Sequence, residues 1–183
     1  MNQKSNRVKV FDKTFELYIP EEKIIAAIDE MARKINNDLA DKNVIFIGIL
    51  NGAFIFAADL YRRINFPSMI TFVKLASYSG TSSTGKVKRL IGINEDIADM
   101  TVVVVEDIVD TGLTMEQIIK QLKGYEPKEI LIATMFFKRE AFQKDFPLHY
   151  IGMEIPNKFI VGYGLDYNGY GRNLRDIYVL AED

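Results

Sequence analysis

Residues 44–50 read VIFIGIL, a short and almost unbroken apolar run rich in β-branched side chains, and such a run predicts a strand buried on both faces. Ahead of it, Ile24, Ile28, Met31, Ile35 and Leu39 recur at helical spacing. Pro20, Glu21 and Glu22 open that helix, because a fixed φ and negative charge both favour a first turn. After the strand, Asn51-Gly52 turns the chain into a second helix that runs through about Ile64. MITFVKLA at 69–76 predicts another strand, SYSGTSSTGK at 77–86 a polar loop, and VKRLIGI its return strand. TVVVVED predicts a third buried strand, TMEQIIKQLKGY a helix from Thr114 to near Gly124, and EILIATMFF at 129–137 a fourth strand. HYIGMEI, FIVGYG and DIYVL are strand-like, and residues 8–19 read as an extended N-terminal arm.

Strands alternating with helices imply an α/β fold, a mostly parallel twisted sheet flanked by helices. Without repeats or a Pro/Ser-rich linker, residues 1–183 are expected to form a single domain. In such sheets ligands bind beyond the carboxyl ends of the strands, so the informative residues are those that follow each strand.

Composition narrows the chemistry. The 23 basic and 25 acidic residues leave a net charge of −2, so no global field draws the chain to nucleic acid or anionic lipid; the cluster Lys86, Lys88 and Arg89 reads as a solvated face. The absence of cysteine excludes disulfide scaffolds, thiolate catalysis and thiolate-held metals. His149 is the only histidine and reads as a packed strand residue, which leaves oxygen as the ligand for any metal. The N-terminus lacks a signal-peptide core and no apolar run has the length of a membrane span, so a soluble cytoplasmic protein is expected.

The chemistry gathers in VVVVEDIVDTGLT at 102–114. Three carboxylates in five residues, Glu106, Asp107 and Asp110, repel one another unless a cation is present, and the hard ion Mg²⁺ suits oxygen ligands. Thr111, Gly112, Leu113 and Thr114 offer consecutive backbone N–H groups, a permissive glycine, two hydroxyls and a helix start, which together bind phosphate. Helix capping accounts for Thr114 but not for two adjacent acids straight after four valines. Asp-Thr-Gly is also the aspartic-protease triplet, but that chemistry pairs two triplets in an all-β fold. Neither a Gly-Lys-Ser/Thr P-loop nor a dinucleotide-type GxGxxG is present.

This segment resembles the phosphoribosyl-pyrophosphate signature of type I phosphoribosyltransferases, in the form found in the hypoxanthine and hypoxanthine-guanine branch. The resemblance extends to LNG after the first strand (the pyrophosphate loop), SYSGTSSTGKV (a mobile lid), MFFKRE (purine reading) and IPNKFIVGYGLDYNGYGRNL (a C-terminal hood), in the family's order over about 50–174. It implies a small hood formed mainly by 138–175 with the N-terminal arm. It also implies Mg²⁺-dependent transfer of a 5-phosphoribosyl group from phosphoribosyl pyrophosphate to a 6-oxopurine, in purine salvage.

By that resemblance Glu106 and Asp107 face the ribose hydroxyls and magnesium, Asp166 is a second metal-linked acid, and Asp110 is the base near the purine N7 proton. Residues 111–114 hold the 5′-phosphate, and Asn51, Gly52 and Arg172 serve the pyrophosphate. Lys138 reads the exocyclic oxygen as a pure donor, Phe159 stacks on the base with the Ile160 carbonyl at its edge, and Ser77 and Tyr78 belong to the lid. Tyr163, Tyr167 and Tyr170 pack the hood. Asn51 stands where the family's loop often carries a basic residue, which implies weaker affinity for phosphoribosyl pyrophosphate.

The resemblance further implies a homo-oligomer, dimer or tetramer. Transfer to xanthine, adenine or a pyrimidine, and a regulator that senses phosphoribosyl pyrophosphate and binds nucleic acid, are the alternatives. Lys138 and Phe159 weigh against the first group, and the net charge of −2 with Asp110 and the full lid sequence against the second.

Overall fold

The computed structural model describes residues 6–78 and 87–181. Its main sheet contains β3 (Val44–Leu50), β4 (Met69–Tyr78), β5 (Val87–Ile91), β6 (Thr101–Val109), β7 (Glu129–Phe137) and β8 (Tyr150–Glu154), in the spatial order β5-β4-β3-β6-β7-β8. All neighbours run parallel except β4 and β5. Helices α1 (Glu21–Leu39) and α2 (Phe54–Tyr61) cover one face and α3 (Leu113–Leu122) the other.

The apolar runs explain the two-sided burial directly. Along β3, Val44 and Phe46 join α1 and α2 in one core, while Ile45, Ile47 and Ile49 join Met115, Ile118 and Leu122 of α3 in the other. β6 divides in the same way, with Val103 and Val105 on the first face and Val102 and Val104 on the second. The α/β fold with a mostly parallel, helix-flanked sheet is thus as the sequence predicts.

A separate antiparallel sheet joins β1 (Arg7–Val10), β2 (Lys13–Ile19), β10 (Ile177–Leu180) and β9 (Ile160–Val161), in the order β1-β2-β10-β9. It brings the two ends of the chain together beside the site.

Several local expectations are corrected. The N-terminal arm is a hairpin, turned at Phe11, whose φ is 54°. The second helix stops at Tyr61 rather than Ile64, and α3 begins one residue before Thr114 and gives way at Lys123–Tyr125 to a 3-10 turn. FIVGYG contributes only Ile160 and Val161 to a strand, because Gly162, Tyr163 and Gly164 all have positive φ. His149 is exposed rather than packed, yet it has a structural task. Its Nδ1 accepts the Ile132 N–H at 3.1 Å while its own N–H bonds the Ile132 carbonyl, so the imidazole stands in for a backbone acceptor at the start of β8. The most consequential difference concerns β6, which runs two residues past TVVVVED to Val109, so that Glu106 and Asp107, expected at the strand's end, lie within it.

Chain direction locates the site. From β3 the chain passes through α2 to β4 on one side, and from β6 it passes through α3 to β7 on the other. The carboxyl ends of β3 and β6 therefore diverge, and a crevice opens between them.

Candidate active site

Gly52 follows β3 and Asp107 lies within the neighbouring strand β6, and the two are pressed together. A methyl group on Gly52 would lie 1.6 Å from Asp107 Oδ2, so only glycine lets this backbone approach the carboxylate. The Leu50–Asn51 peptide just before it is cis. Glu106 and Asp107 are both buried, at 8% and 9% exposure, and they hydrogen-bond to each other. Burial, reinforced by the neighbouring Asp107 charge, raises the Glu106 carboxyl well above the usual range. Burial raises Asp107 too, against the hydrogen bond from Glu106, the Ile108 N–H at 2.9 Å and the field of Arg172. Among the described residues neither acid is held in an ion pair.

The segment that leads from β6 into α3 forms a cavity of about 220 Å³ lined by Glu106, Asp110, Thr111, Gly112, Thr114 and Met115, among others. Gly112 turns the chain into α3 with a φ of 82°, and a side chain there would also strike the Phe142 ring at 2.7 Å. Thr111 Oγ1 accepts the Leu113 N–H at 3.4 Å, and the Thr111 carbonyl accepts the Gln143 N–H at 3.2 Å. The segment after β7 thus walls the cradle. Leu113 and Thr114 are exposed at the helix start.

Asp110 and Lys138 come from the ends of neighbouring strands and pair at 3.2 Å, the lysine buried and the acid 46% exposed. The same ammonium also donates to Asn157 Oδ1 at 3.4 Å. Asn157 was not among the residues expected at the site; it lies two residues before Phe159 in IPNKF, and only tertiary contact sets it beside Lys138.

Phe159 departs from the pattern of a core aromatic. It is 47% exposed and touches Tyr167 edge-on, with ring centroids 5.8 Å apart, which leaves it open for stacking. Ile160, next to it, is buried where β9 pairs with β10.

Asp166 and Arg172 meet in one loop. Arg172 bonds Asp166 Oδ1 at 2.6 Å through Nη2 and donates to the Gly164 carbonyl at 2.7 Å through Nη1, while Asp166 Oδ2 accepts the Gly169 N–H. Gly164 in turn rests on the Gly52 carbonyl, where an added Cβ would come within 2.1 Å. Ser77 and Tyr78 end β4, in register with Lys88 and Val87. The rest of the expected lid, 79–86, lies outside the described residues.

A family model described as the phosphoribosyl transferase domain matches residues 18–168. The chain belongs to the phosphoribosyl transferase family. Among the relatives of this phosphoribosyl transferase are a hypoxanthine-guanine phosphoribosyltransferase of Aquifex aeolicus, 37% identical over 93% of this chain and 97% of the relative, and a hypoxanthine phosphoribosyltransferase of Salmonella typhimurium, 39% identical over 88% and 92%. A solved hypoxanthine phosphoribosyltransferase of Staphylococcus aureus superposes with a TM-score of 0.81 at 32% identity, covering 91% of each chain.

The transferase needs a divalent metal, and its residues fit one. Two adjacent buried carboxylates without a cation partner suit a hard ion. Among the described residues no three acids or histidines converge as a closed cage. No helix of the described residues is long and apolar enough to cross a membrane.

Proposed function

We propose that this transferase moves the 5-phosphoribosyl group of phosphoribosyl pyrophosphate to hypoxanthine, guanine or both, releasing pyrophosphate and giving IMP or GMP in purine salvage, with Mg²⁺ as its metal. The observation that carries this reading is the Asp110–Lys138 pair at 3.2 Å. An acceptor-only carboxylate beside a donor-only ammonium complements the N7–H and O6 that lie side by side on a 6-oxopurine. Adenine presents an amino donor where the ammonium also donates, so the same pair rejects it.

In this reading the cradle at 111–114 holds the 5′-phosphate, and Gly52, Asn51 and Arg172 hold the pyrophosphate. Glu106, Asp107 and Asp166 are the metal and ribose acids, and Phe159 stacks on the base with the Ile160 carbonyl at its edge. Ser77 and Tyr78 are lid contacts. As the bond from ribose C1′ to the pyrophosphate oxygen breaks, purine N9 bonds C1′ and the N7 proton passes to Asp110. Mg²⁺, when bound, neutralises the pyrophosphate and makes it a better leaving group. The buried acids oppose the positive charge developing on the ribose, which is electrostatic rather than covalent catalysis.

The chain acts as a single domain, the hood being formed by 138–175 with the N-terminal hairpin. It works as a homo-oligomer, a dimer or tetramer. The exposed Phe54 and Phe72 support that assembly, as does a Trypanosoma cruzi relative whose C-terminal region bears on its oligomeric state. The chain acts in the cytoplasm, where absence of cysteine suits a reducing medium.

Turnover measured with hypoxanthine, guanine, xanthine and adenine, with and without Mg²⁺, tests the reading. Metal-dependent turnover of hypoxanthine or guanine is expected. Turnover of adenine or xanthine instead, or tight RNA binding with no turnover of any base, overturns it.

A further inference from the structure

The segment that carries Asp166 and Arg172 has to be set at a fixed height over the Asn51-Gly52 loop, and one residue in it stands in a conformation that its side chain does not favour. Gly162, Tyr163 and Gly164 have φ of 105°, 46° and 97°. For the glycines this is unstrained, whereas a tyrosine in the left-handed region is held there by its surroundings. Tyr163 is 4% exposed, and its hydroxyl donates to Asp59 Oδ2 of α2 at 2.5 Å. Burial and the Asp59 carboxylate both raise the phenol's pKa, so it remains a donor throughout the working pH range. Arg63 steadies that turn of α2 by donating to the Asp59 carbonyl at 2.7 Å and pairing with Asp29 of α1.

The consequence lies one residue further on. Gly164 rests on the Gly52 carbonyl, Gly52 lies against the Asp107 carboxylate, and the Gly164 carbonyl receives Arg172 Nη1. The gap between the two sides of the pyrophosphate subsite is therefore set where Gly164 meets Gly52, and the Tyr163 phenol ties the residue beside that contact to α2.

We propose that Tyr163 and Asp59 form a positioning pair that clamps residues 162–172 onto α2 and thereby sets the affinity for the pyrophosphate end of phosphoribosyl pyrophosphate, without either residue touching substrate. This rests on the reading of the site given above. It separates two roles that burial alone would merge. A tyrosine that only fills the core affects stability and both substrates together, whereas a clamp affects one substrate.

The test combines steady-state kinetics with calorimetric binding of phosphoribosyl pyrophosphate, on Tyr163→Phe, Asp59→Leu and Asp59→Asn. Tyr163→Phe keeps the ring and removes only the donor. Losing one hydrogen bond to a charged group is expected to raise KM and Kd for phosphoribosyl pyrophosphate about 5- to 20-fold in Tyr163→Phe and Asp59→Leu. The purine KM and kcat should stay within about twofold, and Asp59→Asn, which keeps an acceptor, should behave like the wild type. A parallel rise in both KM values, or unchanged affinity for phosphoribosyl pyrophosphate in Tyr163→Phe, overturns the clamp. Failure of the wild type to bind phosphoribosyl pyrophosphate overturns the functional reading instead, so the two failures are distinguishable.

Discussion

Two groups of acids from one segment meet different fates. Glu106 and Asp107 sit inside β6, buried, hydrogen-bonded to each other, and without an ion-pair partner among the described residues. Asp110 lies just past the strand, 46% exposed and paired with Lys138. The first pair is a charge problem that no cation among the described residues relieves, and in the proposed reading substrate and metal relieve it. The second is neutralised by the protein, and in the proposed reading it exchanges its lysine contact for a purine edge. Identical carboxyl chemistry at a spacing of three or four residues thus meets two environments, because one group lies in the sheet and the other just past its end.

Removing the metal should have the largest effect on this contrast. Chelation is expected to reduce turnover to background while far-UV circular dichroism and the thermal midpoint hold, since the metal completes the site rather than the fold. A cooperative loss of structure on chelation would mean that the acid pair is a structural cage.

Asp110→Asn should lower kcat by about 10²- to 10⁴-fold, the usual contribution of a positioned base, with affinity for phosphoribosyl pyrophosphate nearly unchanged. Single-turnover kinetics beside calorimetry separates the two quantities; a loss confined to affinity would remove Asp110 from the base role.

Lys138→Ala should cost about 10- to 100-fold in kcat/KM for hypoxanthine, the range for a hydrogen bond to a charged donor, and narrow the preference over adenine. Full retention of 6-oxopurine selectivity would assign base reading elsewhere.

Stability should then divide the acids. In metal-free protein Glu106→Gln is expected to raise the thermal midpoint by about 2–4 °C, roughly 1 kcal/mol in a chain of this size, while Asp110→Asn leaves it nearly unchanged. The pH dependence has a definite sign. The Glu106 carboxyl is raised in the folded state, so the native protein holds its proton longer than the unfolded chain does. Wild-type stability from this group is therefore greatest below the ordinary carboxylate range and is lost as pH rises through the folded pKa. The gap between variant and wild type should widen upward in pH; scans at several pH values would reveal a gap that narrows instead.

The smallest effect is at His149, whose pKa is lowered below 6.5 by partial desolvation of its ring against the chain and whose Nδ1 accepts the Ile132 N–H. Imidazole resonances of this single histidine should titrate below the free value, and its small stabilisation should fade as pH falls from 6.5 through that lower pKa.

Much of this was legible in the chain, and for identifiable reasons. The strands VIFIGIL, TVVVVED and EILIATMFF declare themselves because both faces of a parallel sheet are buried, so apolar side chains run without alternation. The turn at residues 111–114 is legible because Gly112 and its hydroxyl neighbours shape the local backbone, and a local conformation leaves a local signature. Phe159 was harder, since an aromatic between apolar residues reads as core, and only the placement of β9 at the rim leaves it half exposed. Asn157 and Tyr163 carry no local mark at all, because their partners Lys138 and Asp59 lie 19 and 104 residues away in sequence.

By itself, then, the sequence determines the α/β architecture, the order of the strands along the chain and the residue types of the site, all of which rest on short-range periodicity and local backbone chemistry. Tertiary structure alone decides which acids are buried and which are paired, that Gly52 abuts Asp107 and Gly164, and that Asp176 near the C-terminal strand accepts the Glu21 N–H at 2.8 Å at the start of a helix whose preceding residue, Pro20, has no capping side chain. The physical reason is the same in each case. Burial and pairing depend on what the rest of the chain brings to a residue's side, and no periodicity along the sequence encodes a neighbour that arrives through the fold.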